Sequence, residues 1–240
     1  MRGLRGLRTL VTGASGGIGT ALVARLVEEE AVLAVTDVAA PNLAGVAFAA
    51  GADVTDLDAV EQLVSDVRGS IGGVDALVAV AGTYATGPTH EQSVETFRNV
   101  LDVSVMGTFL TTRAVLPGML EQGHGRIVTF GSTASVCAAP ELAAYAAAKG
   151  AVLQYTRSIA VEYARRGIRA NCVCPGGTLT PLLRRLNAER TEPDHFAERH
   201  PIGRYAEPAE IAAATAFLLS EDSSFVLGAA LLVDGGYSAS

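Results

Sequence analysis

Short apolar, β-branched runs alternate along the chain with stretches of helical period. Thr9-Leu10-Val11 predicts a first strand. A glycine-rich turn follows, and then Ile18, Leu22, Leu26 and Val27 share one helix face. Ala31–Val35 predicts a second strand ending at Thr36-Asp37, with a short strand expected over Gly45–Ala49. Thr55 or Asp56 can cap a helix whose apolar stripe is Val60, Leu63, Val64 and Val67. Val74–Val80 predicts a buried strand, and Val94 to about Gln122 a long helical region with a bend at Pro117-Gly118. Gly125–Gly131 is the next strand. A helix ending near Arg166 follows, striped by Val152, Leu153, Ile159 and Tyr163. Ile168–Cys174 predicts a strand stopped by Pro175-Gly176-Gly177. Residues 178–204 are polar and turn-rich, the expected lid. Pro208–Leu219 predicts a helix and Ala229–Val233 a last strand. Strands alternating with helices predict an α/β fold over residues 1–240: one doubly wound parallel sheet with helices on both faces.

The chemistry-bearing positions follow strand ends. Thr12-Gly13-Ala14-Ser15-Gly16-Gly17-Ile18-Gly19 joins a strand to a helix. Glycines there permit close backbone approach, and the helix N-terminus presents free N–H groups to a pyrophosphate, as in a Rossmann-type site. Asp37 ends the second strand, where a carboxylate accepts hydrogen bonds from adenosine ribose and repels a 2′-phosphate. No Lys or Arg stands in the glycine loop or just after Asp37, which favours NAD over NADP. Gly82, Ser132 and Gly176 also follow strands, so these positions converge on one sheet edge, where ligands of such sheets bind. Tyr145 and Lys149 are four residues apart on one helix face, about 5–6 Å apart at Cβ. An ammonium that close is expected to lower the phenol pKa and make Tyr145 a proton donor and acceptor.

The net charge of -7 speaks against a nucleic-acid or anionic-membrane partner. The basic start, Met1–Arg8, meets glycines rather than an uninterrupted apolar core of a signal peptide. No run of about 18 uninterrupted apolar residues is present. The protein is expected to be soluble and cytoplasmic. Cys137, Cys172 and Cys174 do not suggest a disulfide framework, and Cys172 and Cys174 read as core positions. Four scattered His show no metal-ligand spacing, so no metal site is expected.

The chain resembles the short-chain dehydrogenase/reductase family in its compact form. The matching stretches are TGASGGIG (12–19), ADVTD (52–56), the Ser132, Tyr145, Lys149 spacing, NCVCPGG (171–177), Thr180-Pro181 and VDGG (233–236). The resemblance implies hydride transfer between a nicotinamide and a secondary alcohol or ketone. It implies Tyr145 as acid and base, Lys149 on the nicotinamide ribose, and Ser132 on the substrate oxygen. Gly13, Ser15, Gly17, Ile18 and Gly19 would hold the pyrophosphate, Asp37 the ribose, and Asp53 and Val54 the adenine. Ala81 and Gly82 would let the chain pass close to the cofactor. Pro175, Gly176, Thr178 and Thr180 would contact its nicotinamide end. Relatives commonly form tetramers through the two long helices and the last strand, so the resemblance implies a homotetramer or homodimer. Residues 145–181 are most similar to members acting on small hydroxy acids or cyclic alcohols. Arg184 and Arg185, at the start of the lid, could bind a carboxylate or be solvated lid charges.

Two stretches depart from the family pattern. Ala79-Val80-Ala81-Gly82 stands where Asn-Asn-Ala-Gly is usual. In Asp102-Val103-Ser104-Val105-Met106-Gly107, Ser104 occupies the position of the family's fourth catalytic residue, an Asn thought to hold a water linking the Lys to solvent. The proton relay is therefore expected to be weakened or rearranged. Two alternatives stand beside the NAD-dependent dehydrogenase: an NADPH-dependent 3-oxoacyl-type ketoreductase, and a catalytically silent nucleotide-binding homologue.

Overall fold

A computed structural model describes residues 1–188 and 197–239. Seven parallel strands form one sheet: β1 (Arg8–Thr12), β2 (Val32–Asp37), β3 (Phe48–Gly51), β4 (Ala76–Ala79), β5 (Gly125–Phe130), β6 (Ile168–Pro175) and β7 (Ala230–Val233). Their order is β3-β2-β1-β4-β5-β6-β7. Among the described residues the α-helices are α1 (Gly17–Glu28), α2 (Leu57–Ile71), α3 (Val94–Leu101), α4 (Gly107–Gln122), α5 (Ala143–Tyr163), α6 (Pro181–Ala188) and α7 (Pro208–Leu219).

Strand alternation sends successive side chains to opposite faces. Val11, Val35, Val78 and Val128 pack under α1 and α7 on one side. Leu10, Ala34, Leu77 and Ile127 pack under α2, α4 and α5 on the other. Burial on both faces explains why the central strands read as continuous apolar runs. The chain leaves β1 toward β2 and β3, then returns to place β4 on the other side of β1. That reversal opens a crevice beyond the carboxyl ends of β1 and β4. Gly13 lies there with φ +67, and a Cβ on it would stand 2.6 Å from the Ala81 nitrogen. Only glycine fits that approach of the two strand ends.

The Gly45–Ala49 strand forms later, at Phe48–Gly51, because its register is set by pairing with Ala34–Asp37. Asp56 rather than Thr55 caps α2, accepting from the Ala59 N–H. The long helical region also differs from expectation. α4 continues through Pro117 to Gln122, and the irregularity falls earlier, in a π-helical turn at Asp102–Met106. Such single wide turns insert an extra residue and recur at functional sites. Taken together, Val94–Gln122 is long and apolar enough by composition to cross a membrane, with mean hydropathy 1.3. Its inward side supplies Val100, Val115, Leu116 and Met119 to buried clusters and also buries Leu110, which accounts for that composition.

The expected lid contains α6. Residues 189–196 of that segment lie outside the described residues.

Candidate active site

A cleft of about 1160 Å³ opens along the carboxyl ends of the strands. Its lining includes every site residue expected from the sequence except Ser104: Gly13, Ser15, Gly17, Ile18, Gly19, Asp37, Asp53, Val54, Ala81, Gly82, Ser132, Tyr145, Lys149, Pro175, Gly176, Thr178 and Thr180. Arg184 and Arg185 are exposed on α6 and do not line it. Leu183 does, as do Arg199 and Tyr237, which no motif marked.

At one end the glycine loop meets α1. The N-cap Gly16 has no side chain to satisfy the first-turn N–H groups. A Cβ on Gly19 would collide with the Gly13 carbonyl oxygen, and one on Gly17 would stand 2.8 Å from Pro181 Cδ. The loop is thus a backbone surface open to an anionic ligand. The Asp37 carboxylate closes this end, accepting from Ser15 N–H at 3.0 Å and Val38 N–H at 2.9 Å. Asp53 accepts from Thr55 N–H and Oγ1, both at 2.8 Å. Those bonds hold its carboxyl below the usual carboxylate range, against a smaller opposing effect of burial.

At the other end, β5 and α5 are tied together before any ligand enters. Ser132 follows β5 and caps the short 3₁₀ turn Thr133–Ser135, its Oγ accepting from Ala134 N–H at 3.2 Å. Ser135 Oγ accepts from Ser132 N–H at 3.1 Å and donates to the Lys149 carbonyl at 2.8 Å. Thr129 and Thr156 join the same two elements, Oγ1 to Oγ1, at 2.6 Å. These bonds fix Ser132 against the α5 turn bearing Tyr145 and Lys149, and Tyr145 hydrogen-bonds Ser132. The Tyr84 ring stands edge-on to Tyr145 at 5.0 Å.

The electrostatics correct one expectation. Lys149 Nζ donates to the Phe130 carbonyl at 2.8 Å and lies 5.7 Å from the centre of the Tyr145 ring. Its pairing is with backbone, so the phenol gains little from the ammonium. Burial dominates and pushes Tyr145 up to about 12, with the Ser132 hydrogen bond pulling the other way. The ring is only partly covered, so material entering the cleft changes that balance. Lys149 is 5 % exposed, and burial pushes its ammonium down to about 8. The two groups meet from opposite sides: a phenol that holds its proton and an ammonium that readily gives one up.

Ser104 lies in the π-helical turn, 1 % exposed, and its Oγ has no hydrogen-bond partner. A Cβ on Gly82 would stand 3.2 Å from Lys149 Nζ and 3.5 Å from Ser104 Oγ. The wide turn therefore brings Ser104 beside Lys149, with Gly82 keeping the space between them open. Cys172 and Cys174, expected in the core, are fully buried on β6 with their Sγ atoms 3.9 Å apart. No cluster of His, Cys, Asp or Glu fit for a metal ion occurs among the described residues.

A family model described as enoyl-(acyl carrier protein) reductase matches residues 13–238. The chain belongs to the short-chain dehydrogenase/reductase family. It is 43% identical over 205 residues to the inactive 2-(S)-hydroxypropyl-CoM dehydrogenase 2 of Xanthobacter autotrophicus, covering 84% of this chain and 89% of that one. It is 40% identical over 243 residues, 95% of each chain, to 2-(S)-hydroxypropyl-CoM dehydrogenase 3 of the same organism. The crystal structure of 3-ketoacyl-(acyl-carrier-protein) reductase from Brucella melitensis complexed with NADH superposes with a TM-score of 0.88. It is 32% identical, covering 98% of this chain and 99% of that one. The short-chain dehydrogenase/reductase fold is thus present over nearly the whole chain.

Proposed function

We propose that this chain is an NAD-dependent oxidoreductase acting on a small secondary alcohol or the matching ketone. The observation that carries the reading is the convergence, in one cleft, of a phosphate-binding glycine loop closed by Asp37 with the Ser132, Tyr145, Lys149 group. Bound there, a nicotinamide dinucleotide would supply or accept hydride. Gly13, Ser15, Gly17, Ile18 and Gly19 would hold its pyrophosphate, Asp37 its ribose, and Asp53 and Val54 its adenine end. Ala81, Gly82, Pro175, Gly176, Thr178 and Thr180 would line the path to the nicotinamide. Ser132 Oγ and Tyr145 Oη hold the substrate oxygen; Ser132 stabilises the charge developing on it. Tyr145 gives that oxygen a proton in reduction and removes one in oxidation. Lys149 holds a proton next to this pair, and Ser104 stands behind it. Relatives named as hydroxypropyl-CoM dehydrogenases and as cis-4-hydroxycyclohexanecarboxylate dehydrogenase support an alcohol substrate.

Turnover with NADH and NADPH tests the cofactor. Asp37 sits against the loop where a 2′-phosphate would lie, so NADH should be preferred. A clear preference for NADPH would move the chain to the ketoreductase alternative. A second reading, a silent nucleotide-binding protein, draws on Ser104 and on the relative named inactive. Tyr145→Phe separates the two: turnover should fall at least ~10²-fold with cofactor binding kept. An unchanged rate would refute the role given to Tyr145.

The protein is further proposed to work in the cytoplasm as a homotetramer or homodimer. Val94, Phe97, Met106 and Phe109 are exposed along α3, the π-helical turn and α4, and Phe225, Leu227 and Leu232 beside and on edge strand β7. A sizing measurement near the chain mass of 24.6 kDa would refute assembly.

A further inference from the structure

His200 lies 23 residues beyond Gly177 in sequence yet forms part of the support behind the cleft wall. It is 2 % exposed. Its Nε2 accepts from the Gly177 N–H at 3.1 Å. A backbone N–H can only donate, so the ring nitrogen facing it is the acceptor and presents its lone pair. Nε2 also sits 3.0 Å from where a Cβ on Gly176 would be, so glycine is what lets the ring in.

The Gly177 peptide is held at its other side as well. Its carbonyl accepts from Ala206 N–H at 2.9 Å, and Leu179 N–H donates to the Ala206 carbonyl at 2.9 Å. The two ends of the lid segment are therefore laced together, with His200 as the side-chain member of that lacing. From behind, the ring is packed by Tyr237, 5.3 Å away, and Tyr205, 5.9 Å away. Tyr237 follows the turn at Asp234, whose carboxylate accepts from Gly236 N–H, Ser238 N–H and Ser238 Oγ. Gly176 N–H donates to the Val233 carbonyl, completing the connection to β7.

We propose that His200 is a positioning residue for hydride transfer, holding the Gly176–Gly177 turn through its Nε2 lone pair so that the cleft wall keeps its shape at the nicotinamide end. This rests on the proposed function, which places that end of the dinucleotide against the turn. The side chain touches neither the reacting atoms nor the cleft. Without it, the Gly177 N–H is left unpaired in the wall or turns toward the cleft.

The test uses the full chain with two substitutions. His200→Gln keeps an acceptor oxygen; His200→Leu removes it. The probes are NADH, followed by its fluorescence, and ADP-ribose, which lacks the nicotinamide. His200→Leu should weaken NADH binding about tenfold and lower turnover. ADP-ribose binding should stay within about twofold, and His200→Gln should stay within about threefold of the unsubstituted protein throughout. Equal behaviour of Gln and Leu, or an equal loss of ADP-ribose binding, would reduce His200 to a packing role and overturn the proposal. NADH binding unchanged in His200→Leu would overturn it alone. Failure of the unsubstituted protein to bind NADH or NADPH would overturn the dinucleotide reading as well. A nitrogen NMR spectrum of the unsubstituted protein guards against a Leu variant that does not fold. It should show His200 Nε2 unprotonated, and a protonated Nε2 would overturn the proposal.

Discussion

Lys149→Met is expected to stabilise the fold at neutral pH while destroying turnover. The Lys149 ammonium is pushed from 10.5 to about 8 by burial. At ~1.36 kcal/mol per unit, carrying that charge costs the folded protein about 3 kcal/mol well below pH 8. The sign follows from linkage. Between 8 and 10.5 the unfolded chain binds a proton that the folded chain does not, so the stability of the unsubstituted protein rises with pH across that window. At pH 9.5 the remaining cost is about 1 kcal/mol. Methionine fills a similar volume with no charge, but it leaves the Phe130 carbonyl without the Nζ donor, a loss of ~1–3 kcal/mol at any pH. The difference between variant and parent should thus shift by about 2 kcal/mol against the variant from pH 6 to pH 9.5. At ~2–4 °C per kcal/mol for a chain of this size, the gap in Tm moves by several degrees. Thermal melts of both proteins at the two pH values, without cofactor, read it directly. A gap that does not change with pH would mean Lys149 is not a buried charge, and the account of this end of the cleft would fail.

Gly82→Ala should lower turnover about tenfold, because the new Cβ would stand 3.2 Å from Lys149 Nζ and 3.5 Å from Ser104 Oγ; a fully active variant would show that the space between them is unimportant. Ser104→Ala removes a buried hydroxyl with no partner, so Tm should hold while turnover falls about threefold to tenfold; equal turnover would exclude Ser104 from the proton path. With the phenol of Tyr145 pushed up to about 12, it keeps its proton at neutral pH and suits reduction. Alcohol oxidation should therefore speed up from pH 7 to 10 while ketone reduction does not, and an oxidation optimum near pH 6 would contradict that electrostatic picture.

What was legible in the sequence is what depends on local pattern. Alternating apolar runs and helical stripes predict the parallel sheet, and glycines and polar residues at strand ends mark its working edge. Contacts between distant segments carried no such mark. None of the matching stretches includes Arg199, His200 or Tyr237, yet Arg199 and Tyr237 reach the cleft and His200 supports its wall. The Tyr145 and Lys149 spacing placed the pair on one helix face, but spacing says nothing about partners. The Phe130 carbonyl, supplied by β5, takes the Lys149 donor and leaves burial to set the phenol.

The π-helical turn shows the same limit and connects it to chemistry. Proline and glycine at 117–118 predict a bend there by local rules. The helix instead absorbs Pro117 and departs from α-geometry at Asp102–Met106, where the composition gives no warning. That turn is where Ser104 faces the space kept open by Gly82 beside Lys149. A shorter side chain than the family's Asn leaves a buried hydroxyl unpaired rather than a filled contact. An unpaired buried donor is costly, and water is the partner that removes the cost where space permits. Restoring the longer side chain is therefore informative in both directions. If Ser104→Asn raises turnover, the gap beside Lys149 limits proton movement; if it lowers turnover, the wide turn and the short hydroxyl form a matched arrangement specific to this chain.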